Sequence, residues 1–145
     1  MRLSAKTTYG LRILLQICLD NREGIISPGK SISKRQEIPE PYLEQIMITL
    51  RNAGVVKTVR GCNGGYFLNK PAGEITVLDV IELFEGEFNL IDEVSVRRPC
   101  LRIIDRRANY VWVEIAKSLR DVAEKITLAS ILDKEPEPIL DKVQQ

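Results

Sequence analysis

A mainly α-helical chain with one small β-hairpin is the fold class that three features of these 145 residues predict. Apolar residues recur at helical spacing through the first fifty or so positions, in blocks separated by Pro28, Pro39, Pro41 and Gly54. Two short β-branched and aromatic runs, VVKTV and GYFLNK, then flank the turn RGCNGG. Beyond them Ala108, Trp112, Ile115, Leu119, Val122 and Ile126 follow one another at alternating steps of four and three, a seam with heptad spacing. Three helices closed by a hairpin make a winged helix-turn-helix, and the seam makes a long C-terminal helix. Residues 1–86 are therefore expected to form one DNA-binding domain, with a recognition helix at about 40–53 and a wing at 55–70. A flexible linker at 87–100, a dimerisation helix with a final short helix at 101–132 and a frayed tail at 133–145 complete the expectation.

Each element has a local cause. Ser4 is a candidate N-cap for a first helix whose apolar face carries Tyr9, Leu11, Ile13, Leu14, Leu15, Ile17 and Cys18, ending near Asn21–Gly24. Cys18 falls on that face and is expected in the core. Ser27-Pro28 reads as the start of a second helix running to about Gln36, with proline in the first position and Gly29 weakening it by roughly 1 kcal/mol. Pro39 and Pro41 prevent its continuation, and EPYLEQIMITLRNAG begins a third helix. Its apolar stripe is Leu43, Ile46, Met47 and Leu50, with Gly54 just past its end. Thr76 caps a fourth helix, VLDVIELFEG, closed by Gly86, and Thr127 caps the last, LASIL.

Composition narrows the function. Histidine is absent, and three cysteines at 18, 62 and 100 form no CxxC pair, which removes the usual zinc patterns and every histidine-based catalytic arrangement. Neither a phosphate loop nor a recognisable carboxylate pair supports an enzyme. No apolar run approaches the roughly 20 residues of a bilayer span and no signal peptide is recognisable, so a cytoplasmic protein without a membrane role is expected. The net charge of +1 conceals an asymmetry. Residues 1–74 hold eleven Lys/Arg against six Asp/Glu, a net +5, whereas residues 75–145 hold ten against fourteen, a net −4. A basic first half faces a polyanion.

The glycines of TVRGCNGGYF join strand to strand, whereas a phosphate loop places them between strand and helix. They are turn-makers, and Arg60 with Gly61 forms a slim tip suited to a narrow, electronegative minor groove. The third helix then enters the neighbouring major groove, and double-stranded DNA is the expected partner. A protein–protein adaptor is the competing class. Its mark is a neutral or apolar recognition face, which the basic half-chain and the wing arginine oppose, although Glu40 and Glu44 soften that charge.

The segments MRLSAKTTYGLRILL, YLEQIMITLRNAGVVKTVRG, GGYFLNKPAGEITVLDVI and ITLASIL resemble the Rrf-two family of bacterial winged-helix transcription regulators, over about residues 1–132. That resemblance implies a homodimer paired through the long helix at Trp112, Ile115, Leu119, Val122 and Ile126, bound to a dyad-symmetric operator. By matching motif it places Tyr42, Glu44 and Gln45 towards the major groove, Arg60 and Gly61 in the minor groove, and Lys6 and Tyr9 near phosphates. Gln45 suits adenine N6/N7, and Glu44 suits cytosine N4. Glu37 stands where many relatives have glycine, and Pro39 and Pro41 where many have small hydroxyl residues. Cluster-binding relatives gather three cysteines before the long helix; here that stretch holds only Cys100, and an iron–sulfur cluster needs about four ligands. The expected cofactor is therefore none, as in the clusterless, CymR-like branch, which responds through a partner protein (a metabolic enzyme) or thiol state. The alternative is redox sensing through Cys100, whose thiolate Arg97, Arg98 and Arg102 would favour, or a cluster shared across the dimer with Asp92 or Glu93 helping.

Overall fold

The structure, a computed structural model, describes residues 2–87 and 102–135. Cys100, nearly all of the expected linker and the tail beyond residue 135 lie outside the described residues. In chain order the elements are α1 (Ala5–Arg22), α2 (Gly29–Gln36), α3 (Glu40–Asn52), β1 (Val56–Val59), β2 (Gly65–Leu68), a short 3₁₀ turn (Ala72–Glu74), α4 (Val77–Glu85), α5 (Ile103–Lys125) and α6 (Leu128–Asp133). The two strands pair antiparallel from Val56 opposite Leu68 to Val59 opposite Gly65. This is a winged helix-turn-helix carrying a long C-terminal helix.

Local signals account for most boundaries. Ser4 accepts a hydrogen bond from the Thr7 amide and starts α1. Thr76 and Thr127 each close a capping box, with Asp79 and Ser130 respectively, and start α4 and α6. Gly54, at φ +73°, ends α3 in the left-handed region. Glu37 ends α2 in that region too, at φ +54°, where a side chain is sterically disfavoured.

Ser27 departs from expectation. It does not cap α2, which begins at Gly29 behind Pro28. Instead Ser27 runs alongside β2: its amide donates to the Tyr66 carbonyl at 3.0 Å and its carbonyl accepts from the Tyr66 amide at 2.8 Å. A backbone ladder partner outside the strand was available, and tertiary pairing overrode the local start signal.

One core lies among α1, α2, α3, β1 and the entry to α4, built from Ile13, Leu14, Ile17, Ile32, Ile38, Leu43, Ile46, Met47, Leu50 and Val56. Cys18 of α1 is buried as well, as its position on the apolar face required. A second, smaller cluster joins Leu78 and Ile81 of α4 to Ala123 of α5. Arg120 adds a 2.7 Å ion pair to Glu82 beside it. The end of α5 is tied back further: the Val77 amide donates to the Ile126 carbonyl, and the Leu128 amide to that of Ile75. Ile126 is the C-cap of α5 and half-buried, whereas the other seam residues are exposed.

Candidate nucleic-acid interface

On α3, Leu43, Ile46, Met47 and Leu50 point into the core, and a 3.6-residue period then sends Pro41, Glu44, Gln45, Ile48, Arg51 and Asn52 outward, all exposed. The side chains of Glu44, Gln45 and Arg51 make no ion pair or hydrogen bond among the described residues. Such a face presents free donors and acceptors on a rigid element.

The wing stands beside it. Gly61 at φ +115° turns the chain at the tip, and the Gly64 amide donates to the Gly61 carbonyl at 3.0 Å. Arg60 is exposed at that tip. Just past the turn, at the start of β2, backbone approaches backbone: a Cβ on Gly65 would lie 2.4 Å from the Ser27 oxygen and 2.8 Å from the Pro28 nitrogen. The Leu68 amide donates to Asn21 Oδ1 at 2.9 Å, a second anchor onto the C-terminal end of α1. Between wing and α3 opens a cleft of about 620 Å³, lined by Lys30, Glu40, Glu44, Thr58, Arg60 and Tyr66 among others.

The other predicted site residues divide. Lys6 is exposed on the first turn of α1. Tyr9 and Tyr42 are partly buried, packed edge to face with ring centroids 5.6 Å apart, and the Arg12 guanidinium lies 5.5 Å from the centre of the Tyr9 ring. Trp112, Ile115, Leu119 and Val122 are exposed on the single chain, Trp112 at 58%. Val111, exposed beside Ile115 and Val122, widens the same apolar surface. Residues of this size are normally withdrawn from water.

A polar strip that sequence reasoning missed holds the assembly in place. Arg12, Gln16 and Asp20 recur every four residues along α1. Arg12 donates to the Gln36 carbonyl at 2.7 Å, and Gln36 donates to Gln16 Oε1 at 3.0 Å. Asp20 is 6% exposed and accepts from Gln16, from Arg35 at 2.9 Å and from the Ser27 hydroxyl at 2.8 Å. One carboxylate therefore fixes α2 and the Ser27 segment, and through Ser27 the wing, to α1. No side-chain polar atom buried among the described residues lacks a partner. The signal available in sequence was the four-residue spacing of three polar residues on an otherwise apolar helix.

Electrostatics add two details. Burial pushes the Cys18 thiol above its ordinary pKa, with the nearby Arg22 opposing, so it stays protonated near neutrality. Glu85, exposed at the end of α4, accepts from the Thr7 hydroxyl and from the Ser4 amide at 2.7 Å, and these bonds hold its carboxyl below the usual glutamate range.

Residues 3–134 match the Rrf2 family, described as iron-dependent transcriptional regulators. The HTH-type transcriptional regulator CymR of Bacillus subtilis is 35% identical over 140 residues, covering 94% of this chain and 96% of that protein. The solved structure of CymR, the global cysteine regulator of B. subtilis, aligns with a TM-score of 0.78 at 30% identity, over 94% of this chain and 99% of that one. IscR of T. potens aligns with a TM-score of 0.70 at 33% identity, over 94% of each chain. Among the described residues, Cys18 is buried in α1 and Cys62 is exposed in the wing turn. No three metal-binding side chains converge among the described residues.

Proposed function

The chain belongs to the Rrf2 family of DNA-binding transcriptional regulators, and from that premise we propose that it acts as a homodimer reading a dyad-symmetric operator in double-stranded DNA. The observation that carries this reading is the fixed relation between two projecting features. The polar outward face of α3 and the arginine-tipped wing stand on either side of one cleft, and the Ser27–Tyr66 pair ties the wing to the segment that leads into α2. Glu44 and Gln45 address base edges in the major groove, where their carboxylate and amide match cytosine N4 and adenine N6/N7. Arg60, made slender by Gly61, enters the adjacent minor groove. Lys6 contacts phosphate from the first turn of α1, and the Tyr9–Tyr42 pair sets that turn against α3.

The partner of α5 is a second copy of the chain. Its Trp112, Ile115, Leu119 and Val122 are uncovered, whereas Ala123 faces α4. A two-fold pair through this helix gives each operator two winged domains, one for each half-site. Residues 1–86 are thus the DNA-binding part and 101–132 the dimerisation part of a cytoplasmic regulator. No helix among the described residues is long and apolar enough to cross a membrane. The chain works without an iron–sulfur cluster and takes its signal from a partner protein such as a metabolic enzyme, or from the state of the Cys100 thiol.

Titration of genomic fragments enriched by the parent tests the wing. Arg60→Ala is expected to weaken specific binding by about 1–3 kcal/mol, with folding unchanged because Arg60 touches nothing in the core. Equal affinity at moderate salt would remove Arg60 from the interface.

A further inference from the structure

The outward line of α3 contains one residue that neither the fold nor polar recognition explains. Ile48 is 48% exposed, opposite the side of α3 that enters the core. A β-branched side chain loses rotamer freedom in a helix, so an exposed helical position favours straight-chain residues over isoleucine. Scattered surface isoleucines are ordinary. This one, however, lies one turn after Glu44 and Gln45 and one turn before Arg51 and Asn52, within a face whose polar side chains are otherwise unpaired. In the major groove each base edge offers donors and acceptors, and the single apolar group is the C5-methyl of thymine.

We infer that Ile48 reads a C5-methyl group, that of thymine in unmodified DNA, at a base pair beside the one addressed by Gln45. Resting on the duplex-reading proposal above, this adds a base identity to it. Residues three apart on a helix are surface neighbours, so Gln45 and Ile48 address adjacent positions of one half-site. Contact between the methyl and the isoleucine withdraws both from water and orders no polar group.

The full-length chain is first used to select an operator from a pool of random duplexes. Each thymine of that operator is then replaced singly by uracil, which deletes the methyl and nothing else. One position per half-site is expected to weaken the parent about fourfold, the effect of burying one methyl-sized group. Ile48→Ala removes the contact from both half-sites, so it should lose about sixteenfold on the thymine operator, about fourfold per half-site, and be indifferent to uracil at that position, with an unchanged circular dichroism spectrum. Placing 5-methylcytosine there should bind the parent more tightly than cytosine, because the methyl is shared. Tight binding with no uracil-sensitive position would overturn the inference and leave the duplex reading intact. So would a uracil effect that persists in Ile48→Ala. A chain that enriches no duplex at all would overturn both.

Discussion

Replacing Gly65 with alanine tests how the wing is held. The added Cβ would lie 2.4 Å from the Ser27 oxygen, 2.6 Å from the Ser27 carbonyl carbon and 2.8 Å from the Pro28 nitrogen. All three are backbone atoms at the entry to α2, so relief requires the strand and that segment to part. Parting them breaks both Ser27–Tyr66 bonds, at 3.0 and 2.8 Å, next to a serine with no exposed surface. Each backbone bond contributes about 1 kcal/mol net, and each buried group left unpaired adds about 1–3 kcal/mol. With partial relaxation the expected loss is about 2–4 kcal/mol. Urea unfolding followed by circular dichroism, at one protein concentration, measures it. Gly73→Ala is the control, since its Cβ meets open space, and it should stay within about 0.5 kcal/mol of the parent. Operator affinity of Gly65→Ala should fall as well, below the urea transition, because the wing no longer sits at its distance from α3. A Gly65→Ala protein that unfolds at the parent's urea midpoint would refute the reasoning.

Two further outcomes are expected. Glu37→Gly should raise stability by about 0.5–1 kcal/mol in the same urea assay, because a left-handed residue costs about 1–2 kcal/mol and glycine returns part of that as backbone entropy. For Glu85, the folded carboxyl is depressed by its bonds from Thr7 and Ser4, so its contribution is present above the ordinary glutamate range and is lost as pH falls through the folded value. The thermal midpoint of Glu85→Gln should accordingly lie below the parent's near neutrality and converge with it at strongly acid pH; a constant gap across that range would deny the bond its charged character.

The features legible in sequence were those written locally. Ser4, Thr76 and Thr127 cap helices by bonds to residues three positions on, and Gly54 ends α3 by its own backbone freedom. The stripe from Leu43 to Leu50 assigned the inner face of α3, and by subtraction the outer one. Features that depend on distant partners were not legible. Ser27 carries a helix-start signature, yet its backbone is claimed by Tyr66, thirty-nine positions away. Asp20 reads as an ordinary charge near a helix end until Arg35 and Ser27 arrive around it. Ile126 continues a heptad count, but its carbonyl is taken by Val77 and the helix ends before it. The glycines of the wing were recognised as turn-makers; that Gly65 is required for the approach of another backbone could be known only with Ser27 in place.

The number of chains per operator tests most directly whether α5 pairs two copies on DNA. Sedimentation of the parent with a selected symmetric duplex should give two chains per duplex, and the free protein should sediment as a dimer. Leu119→Asp, which puts an unpaired charge into the uncovered face of α5, should sediment as a folded monomer and bind the same duplex far more weakly. A parent that saturates the duplex as a single chain, or a Leu119→Asp protein that remains dimeric with full affinity, would contradict that pairing.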